Sequence, residues 1–261
     1  MPKQSNPTKK LAKQPRVLFF DIETMAKKAY VWGDFEQNII DTAEEWFMLS
    51  YAYKWKEDTT VKVRALPDYP TTYKANSHDD SALVNELWKL FNEADIIIAH
   101  NGRQFDIKKS NARFIKHGLR PPSPYKIVDT KEVAKRYFRF DSNRLDALAD
   151  YFGIGRKIQT GGFQLWLDCQ AGIKSAWAKM KKYNIHDIFL LEKVYYRMLP
   201  YMDNHPNIAM LQGNLHACPN CGSMDIVLEG TRQTRTKVMQ QFRCKKCGSW
   251  SSAPRKGAQV R

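Results

Sequence analysis

No stretch of the 261-residue sequence stays apolar for long enough to cross a bilayer, and the run Val17 to Phe20 is cut short by Asp21 and Glu23. Neither a membrane span nor a secretory h-region is therefore expected. Acid is also scarce: 27 Asp and Glu stand against 42 Lys and Arg, a formal charge of +15. That imbalance favours a polyanionic partner, nucleic acid ahead of membranes or heparin-like surfaces. Residues 1–15 contain no acid at all, but carry Lys3, Lys9, Lys10 and Lys13 with three prolines, the composition of a basic, disordered arm. Cysteines number only five, and without an export signal the chain reads as intracellular and cytoplasmic, where thiols stay reduced. A disulfide framework is disfavoured on that ground.

What remains is ample for a folded protein. Apolar residues make up 43% and aromatics 12%, and the length suits one sizeable α/β domain with a small appendage. Val17 to Phe20 is β-favouring and apolar, as in a strand buried mid-sheet. Asp21 and Glu23 then alternate with Ile22, so both carboxylates project from one face of that strand. Two acids so close repel unless one stays protonated or a cation lies between them, and Mg²⁺ or Mn²⁺ suits oxygen ligands. An ordinary strand end with solvated acids is the alternative.

Further strands are expected at Trp46 to Trp55, Thr60 to Leu66, Asp95 to Ala99 and Lys126 to Asp129, with Tyr30 to Asn38 turn-like. Amphipathic helices are expected at Ser81 to Glu93, Ile107 to Gly118, Lys131 to Tyr137 and Asn143 to Phe152, and one or two more over Ala176 to Met198. Strands first, then strands alternating with helices, predict an α/β domain with a mixed sheet over residues 16–205. His205-Pro206-Asn207 reads as its exit. A linker at 206–215, a small β domain at 216–252 and a basic tail at 253–261 complete the expected organisation.

Asp106 follows His100-Asn101-Gly102-Arg103-Gln104-Phe105, a polar loop directly after a buried strand, where open α/β sheets place ligands. Tyr183 and Asp187 lie four residues apart on one face of a late helix. Together, Asp-x-Glu on a first strand, Asn-Gly-x-x-Phe-Asp later and Tyr-x-x-x-Asp on a late helix resemble the three motifs of the DnaQ-like 3′–5′ exonucleases of the DEDD superfamily, which have a ribonuclease H-like fold. The tyrosine resembles the DEDDy branch. Over roughly residues 16 to 200, the resemblance implies that Asp21, Glu23, Asp106 and Asp187 hold two Mg²⁺ or Mn²⁺ ions and that Tyr183 orients the attacking water. Two ions roughly 4 Å apart stabilise both attacking and leaving oxygens, which explains the need for four acids. The resemblance further implies a hydrolase acting on single-stranded DNA or a 3′ end, with a replication or repair protein as a candidate partner. The compact layout resembles that of small bacterial or phage proteins. A ribonuclease H-like structure-selective endonuclease and a non-catalytic nucleic-acid-binding accessory protein are the alternatives.

His186 is expected outside the catalytic set, because the sister branch's histidine position corresponds to Lys182. Asn101 either bonds near the scissile phosphate or shapes its loop, and Phe105 either stacks on a terminal base or packs in the core. Lys108 and Arg113 on the helix after Asp106, and Arg144 further on in a cluster with Arg156 and Lys157, are candidates to track a phosphate backbone.

Cys218-Pro-Asn-Cys221-Gly and Cys244-Lys-Lys-Cys247-Gly are paired knuckles that can complete one tetrahedral Cys₄ site, and they look like a zinc ribbon with one structural Zn²⁺. Arg232, Arg235, Lys245 and Lys246 suggest that it binds nucleic acid through phosphates, a purely structural or protein-binding ribbon being the alternative. Cys169 reads as a small buried hydrophobe.

Overall fold

The computed structural model describes residues 14–35 and 38–259, with side chains through 254. The basic arm's Lys3, Lys9, Lys10 and Lys13 lie outside the described residues. Two compact units are present, one spanning Arg16–Met198 and the other running from Leu199 onward.

The first unit begins with β1 (Val17–Thr24), then β2 (Lys28–Tyr30), β3 (Asp41–Glu44), β4 (Met48–Trp55) and β5 (Lys62–Ala65). It continues with α1 (Pro70–Ala75), α2 (Ser81–Glu93), β6 (Ile96–Ala99), α3 (Asp106–Lys116), β7 (Lys126–Asp129), α4 (Thr130–Tyr137), α5 (Leu145–Tyr151), α6 (Gln164–Gln170) and α7 (Lys174–Met198). Five strands form one mixed sheet in the order β5-β4-β1-β6-β7, antiparallel from β5 to β1 and parallel from β1 to β7. Helices flank it, the arrangement expected of a ribonuclease H-like fold.

β1 is central because both its faces are apolar. Phe20 meets Phe91 of α2 edge-on at 4.9 Å, and Phe19 meets Tyr195 of α7 edge-on at 5.4 Å. Consecutive residues on a strand point to opposite faces. One helix therefore covers each side, and four successive buried residues hold the strand rigid where its acids begin.

α7 is a single 25-residue helix. Met180, Asn184, Asp187, Leu191, Val194 and Met198 share its buried stripe, so two polar side chains sit where spacing alone would place core. Of the turn-like Tyr30 to Asn38 stretch, Tyr30 ends β2, which pairs with β3 in a separate two-stranded sheet, and residues 36–37 lie outside the described residues. Helices α1 and α6 were not legible in the sequence: six and seven residues carry too few periods.

In the second unit, α8 (Ile208–Leu211) precedes β8 (Ile226–Gln233), β9 (Lys237–Cys244) and β10 (Trp250–Gln259), which form a three-stranded sheet in the order β10-β9-β8. This small sheet with four cysteines fits a zinc ribbon. The expected boundaries shift at three places. Leu199 belongs here because its carbonyl accepts from Asn220 Nδ2 (3.2 Å) and Ser249 Oγ (3.4 Å). Within the expected linker, α8 is one turn capped by Asn207 Oδ1, which accepts from Met210 N at 3.0 Å. The expected tail continues as strand to Gln259, since ladder bonds use backbone groups that composition does not reveal.

Candidate metal centres

The parallel partner of β1 runs out early. β6 pairs with it only as far as Phe19↔Ile98, which leaves the next stretch of that β1 edge without a strand. The chain beyond β6 turns sharply: Asn101 has φ 63°, and a Cβ on Gly102 would stand 2.4 Å from the Ala99 Cβ. Only glycine allows this approach. Asp129, buried at the end of β7, fixes the loop by accepting from Asn101 N (2.9 Å) and Arg103 N (3.0 Å), and it caps α4 by accepting from Lys131 N (3.0 Å). Asp106 is thereby delivered, buried, in the first turn of α3. Its Oδ1 accepts from Ile22 N at 3.2 Å on the vacated β1 edge.

Asp21, Glu23 and Asp187 converge, with one carboxylate oxygen of each within 4.8 Å of the others. Asp106 lies outside that trio but acts on it. Burial raises the Asp21 carboxyl well above its usual range, and the charges of Asp106, Asp187 and Glu23 raise it further. Burial, then Asp187, pushes Glu23 up to about 8. Burial takes Asp106 to about 7 even against the amide of Ile22. Asp187 is raised by burial despite its ammonium partner. Buried acids that hold protons near neutrality mark a place where a cation would be welcome.

That ammonium belongs to Lys157, which donates to Asp187 Oδ2 at 2.5 Å and to the Tyr183 hydroxyl at 3.2 Å. Burial opposes its charge, but Asp187, Tyr183 and Asp21 hold it protonated far above the normal lysine range. The other oxygen, Asp187 Oδ1, is buried without a hydrogen-bond partner. Orphaned buried oxygens are rare. This one, next to two proton-holding carboxyls, fits an oxygen-seeking divalent ion. Asn184 sets the geometry from below: its Nδ2 donates to Asp21 Oδ2 at 2.8 Å, while its Oδ1 accepts from Ser50 Oγ at 3.1 Å. Burial, then the nearby acids, raises the Tyr183 phenol, which rules it out as a base at neutral pH.

The sequence-predicted residues around this centre divide. Asn101 Oδ1 accepts from Lys131 Nζ at 3.2 Å, so its side chain helps hold the loop. Phe105 is 39% exposed at the head of α3, not core as its alternative reading had it. Lys108 is exposed and donates to Gln104 Oε1, and Arg144 is exposed at the N-terminus of α5. Arg113 is corrected: it is buried, its guanidinium donates to Asp80, and Nη1 reaches the Trp46 carbonyl at 3.3 Å. Buried Asp80 also accepts from Met48 N and His117 Nε2, so Arg113 ties α3 to α2 and β4 and cannot follow a strand of nucleic acid. His186 lies outside the centre and donates from Nε2 to the Arg156 carbonyl.

Lys157 and Asn184 join the acidic centre, a place that the sequence reading gave to neither. Lys157 was one of several bases in a basic run, and Asn184 had only its position beside Tyr183 as a signal.

In the second unit, the Cys218–Cys247 and Cys221–Cys244 sulfur pairs are both 3.6 Å apart, and all four sulfurs lie within 4.8 Å of one another. A tetrahedral ion with Zn–S bonds of about 2.3 Å requires S···S edges of roughly 3.8 Å. The observed spacing fits that edge and is far too long for disulfides. Gly222 and Gly248, both at positive φ, let each knuckle close, their amides donating to the Cys218 and Cys244 carbonyls. Arg232, Arg235, Lys245 and Lys246 are exposed on this unit.

Residues 31–199 match the sequence profile of the RNase_H superfamily, a range that contains Asp106, Lys157, Tyr183 and Asp187 but begins after Asp21 and Glu23. No curated protein matches the chain in sequence. Among solved structures, the family B DNA polymerase from the hyperthermophilic archaeon Pyrobaculum calidifontis is similar in fold, with a TM-score of 0.54 at 15% identity over 85% of this chain. The chain spans 31% of that polymerase's length. No helix among the described residues is long and apolar enough to cross a membrane.

Proposed function

Since the chain belongs to the RNase_H superfamily, we propose that it is a DEDDy-type, metal-dependent 3′–5′ exonuclease that hydrolyses phosphodiester bonds of DNA in preference to RNA. The observation that carries this reading is the convergence of Asp21, Glu23 and Asp187 beside Tyr183, with Asp106 held against the same strand. In this reading the four acids hold two Mg²⁺ or Mn²⁺ ions, and the four cysteines hold one structural Zn²⁺. Bound Mg²⁺ or Mn²⁺ supplies a nucleophile at neutral pH and neutralises charge on the phosphate.

The chain's own groups do the rest. Asn184 fixes the orientation of Asp21. Tyr183 keeps its proton and orients the attacking water through its hydroxyl. Lys157 holds that hydroxyl and Asp187 together and adds a positive charge toward the phosphate. Exposed Phe105, Lys108 and Arg144 contact the incoming single strand or 3′ end, and Asn101 keeps the loop between them in place. The likeness in fold to a DNA polymerase supports DNA as substrate and a replication or repair setting. Arg232, Arg235, Lys245 and Lys246 of the ribbon bind backbone phosphates.

The test is degradation of end-labelled single-stranded and duplex DNA and RNA, with a circular DNA alongside, in Mg²⁺ or Mn²⁺. Shortening from the 3′ end with the circle intact is expected. Cutting of the circle would make the protein an endonuclease. Undiminished degradation by Asp21→Ala/Glu23→Ala would remove the site assignment, and absence of any hydrolysis would leave a binding protein.

A further inference from the structure

We propose that the zinc-ribbon unit carries its own pocket for one unstacked nucleotide of a single strand, formed between its sheet and the segment leading into it. The substrate class rests on the nuclease reading above, but the pocket stands on separate residues. In antiparallel ladders, directly opposed residues share a face. The pairs Arg232↔Met239, Gln241↔Ser252 and Arg243↔Trp250 therefore put Arg232, Gln241 and Trp250 on one face of the ribbon sheet. The same space is lined by Asp203, His205, Asn207 and Asn220. The cleft has a volume of about 460 Å³, within the range of sites that take small organic ligands.

The chemistry of the lining selects the ligand. Trp250 lines the cavity, is 49% exposed and has no ring partner among the described residues, so its indole is available to a ligand there. Exposed tryptophan in a basic, polar setting is what an unpaired base stacks on. Gln241 offers both a donor and an acceptor, the pattern a base edge needs. Asn207 spends its Oδ1 on the α8 cap and keeps its Nδ2 as a donor. Arg232 pairs with no carboxylate among the described residues, whereas its neighbour Arg243 is taken by Glu229. A guanidinium beside a stacking ring suits the phosphate next to the stacked base. A phosphate alone would have no use for the indole and amides, and an apolar peptide segment would leave the polar lining unsatisfied.

Holding one nucleotide on the ribbon raises the effective concentration of the rest of the strand for the acidic centre on the same chain. Stacking tolerates any base, so little sequence preference is expected.

The test uses the full-length chain carrying Asp21→Ala/Glu23→Ala, which keeps the probe whole, and fluorescein-labelled oligothymidylate and oligouridylate in buffer without added divalent ions. Trp250→Ala should weaken binding about tenfold with its salt dependence unchanged, and Trp250→Phe should recover most of the loss. Arg232→Ala should weaken binding and lower the slope of log affinity against log salt by about one. Zinc content reports whether each variant is folded. If Trp250→Ala retains zinc and binds within twofold of the parent, the pocket is not a nucleotide site. Should Trp250→Ala lose its zinc, Gln241→Ala and Arg232→Ala decide, and full affinity in both would overturn the proposal. Hydrolysis of a trinucleotide by the unsubstituted protein is read in parallel: its absence would sink the nuclease reading and leave the binding result standing.

Discussion

Loading the protein with Mn²⁺ at pH 7 should expel protons, and the structure sets how many. Burial and neighbouring acids push Glu23 up to about 8 and Asp106 up to about 7, and hold Asp21 well above its usual range as well. At pH 7, Glu23 then carries about 0.9 of a proton and Asp106 about half of one, with Asp21 adding a further share. A cation that needs ionised carboxylates must displace them, so at least about 1.4 protons, the Glu23 and Asp106 shares together, should leave per chain. Titration calorimetry of the zinc-loaded protein in two buffers of different ionisation enthalpy measures that number directly. Release should shrink as pH rises past about 8, where Glu23 and Asp106 ionise without the metal. Asp21→Asn/Glu23→Gln should lose most of the release, because the substitutions remove two ligands and the carboxyls that carry most of the protons. The same carboxyls are protonated in the folded chain and ionised in the unfolded one between their ordinary range and about 8. The folded state thus binds more protons there, and metal-free stability should fall as pH rises through that window, with Mn²⁺ restoring more at pH 8 than at pH 6. Release of less than about 0.3 proton at pH 7 would show that these acids are already ionised and refute the reasoning.

Lys157→Met removes the ammonium that competes for Asp187, so Mn²⁺ should bind at least about tenfold more tightly, since a unit charge roughly 4 Å away costs a cation about 1–4 kcal/mol between full and partial screening. Hydrolysis should nonetheless fall at least tenfold, as Tyr183 loses its donor; calorimetry and single-turnover rates check the pair. Gly102→Ala places a methyl 2.4 Å from the Ala99 Cβ, and a loss of about 1–3 kcal/mol should appear as a thermal midpoint lowered by several degrees. Cys247→Ser should abolish stoichiometric zinc, measured by elemental analysis, and unfold the ribbon while the Arg16–Met198 unit keeps its own thermal transition.

Much of the site was legible because its signals are local. Strand alternation alone put Asp21 and Glu23 on one face, helical spacing put Tyr183 above Asp187, and doubled knuckles announced the sulfur cluster. Short elements were not legible: α1 and α6 are too brief for periodicity, and β10 is held by backbone pairing. Arg113 shows the converse error. Its place in a basic run suggested a phosphate contact, but a buried carboxylate 33 residues earlier claims it.

The sequence by itself determined which atoms are available: four acids, a phenol, four thiols and an excess of basic charge. Tertiary structure decided what those atoms feel. Only the folded chain brings Lys157 against Asp187, seats Asn184 under Asp21 and leaves Asp187 Oδ1 without a partner. The reason is physical: charge interaction and desolvation depend on distance and burial, which residues far apart in sequence acquire only when β1, α3 and α7 pack together.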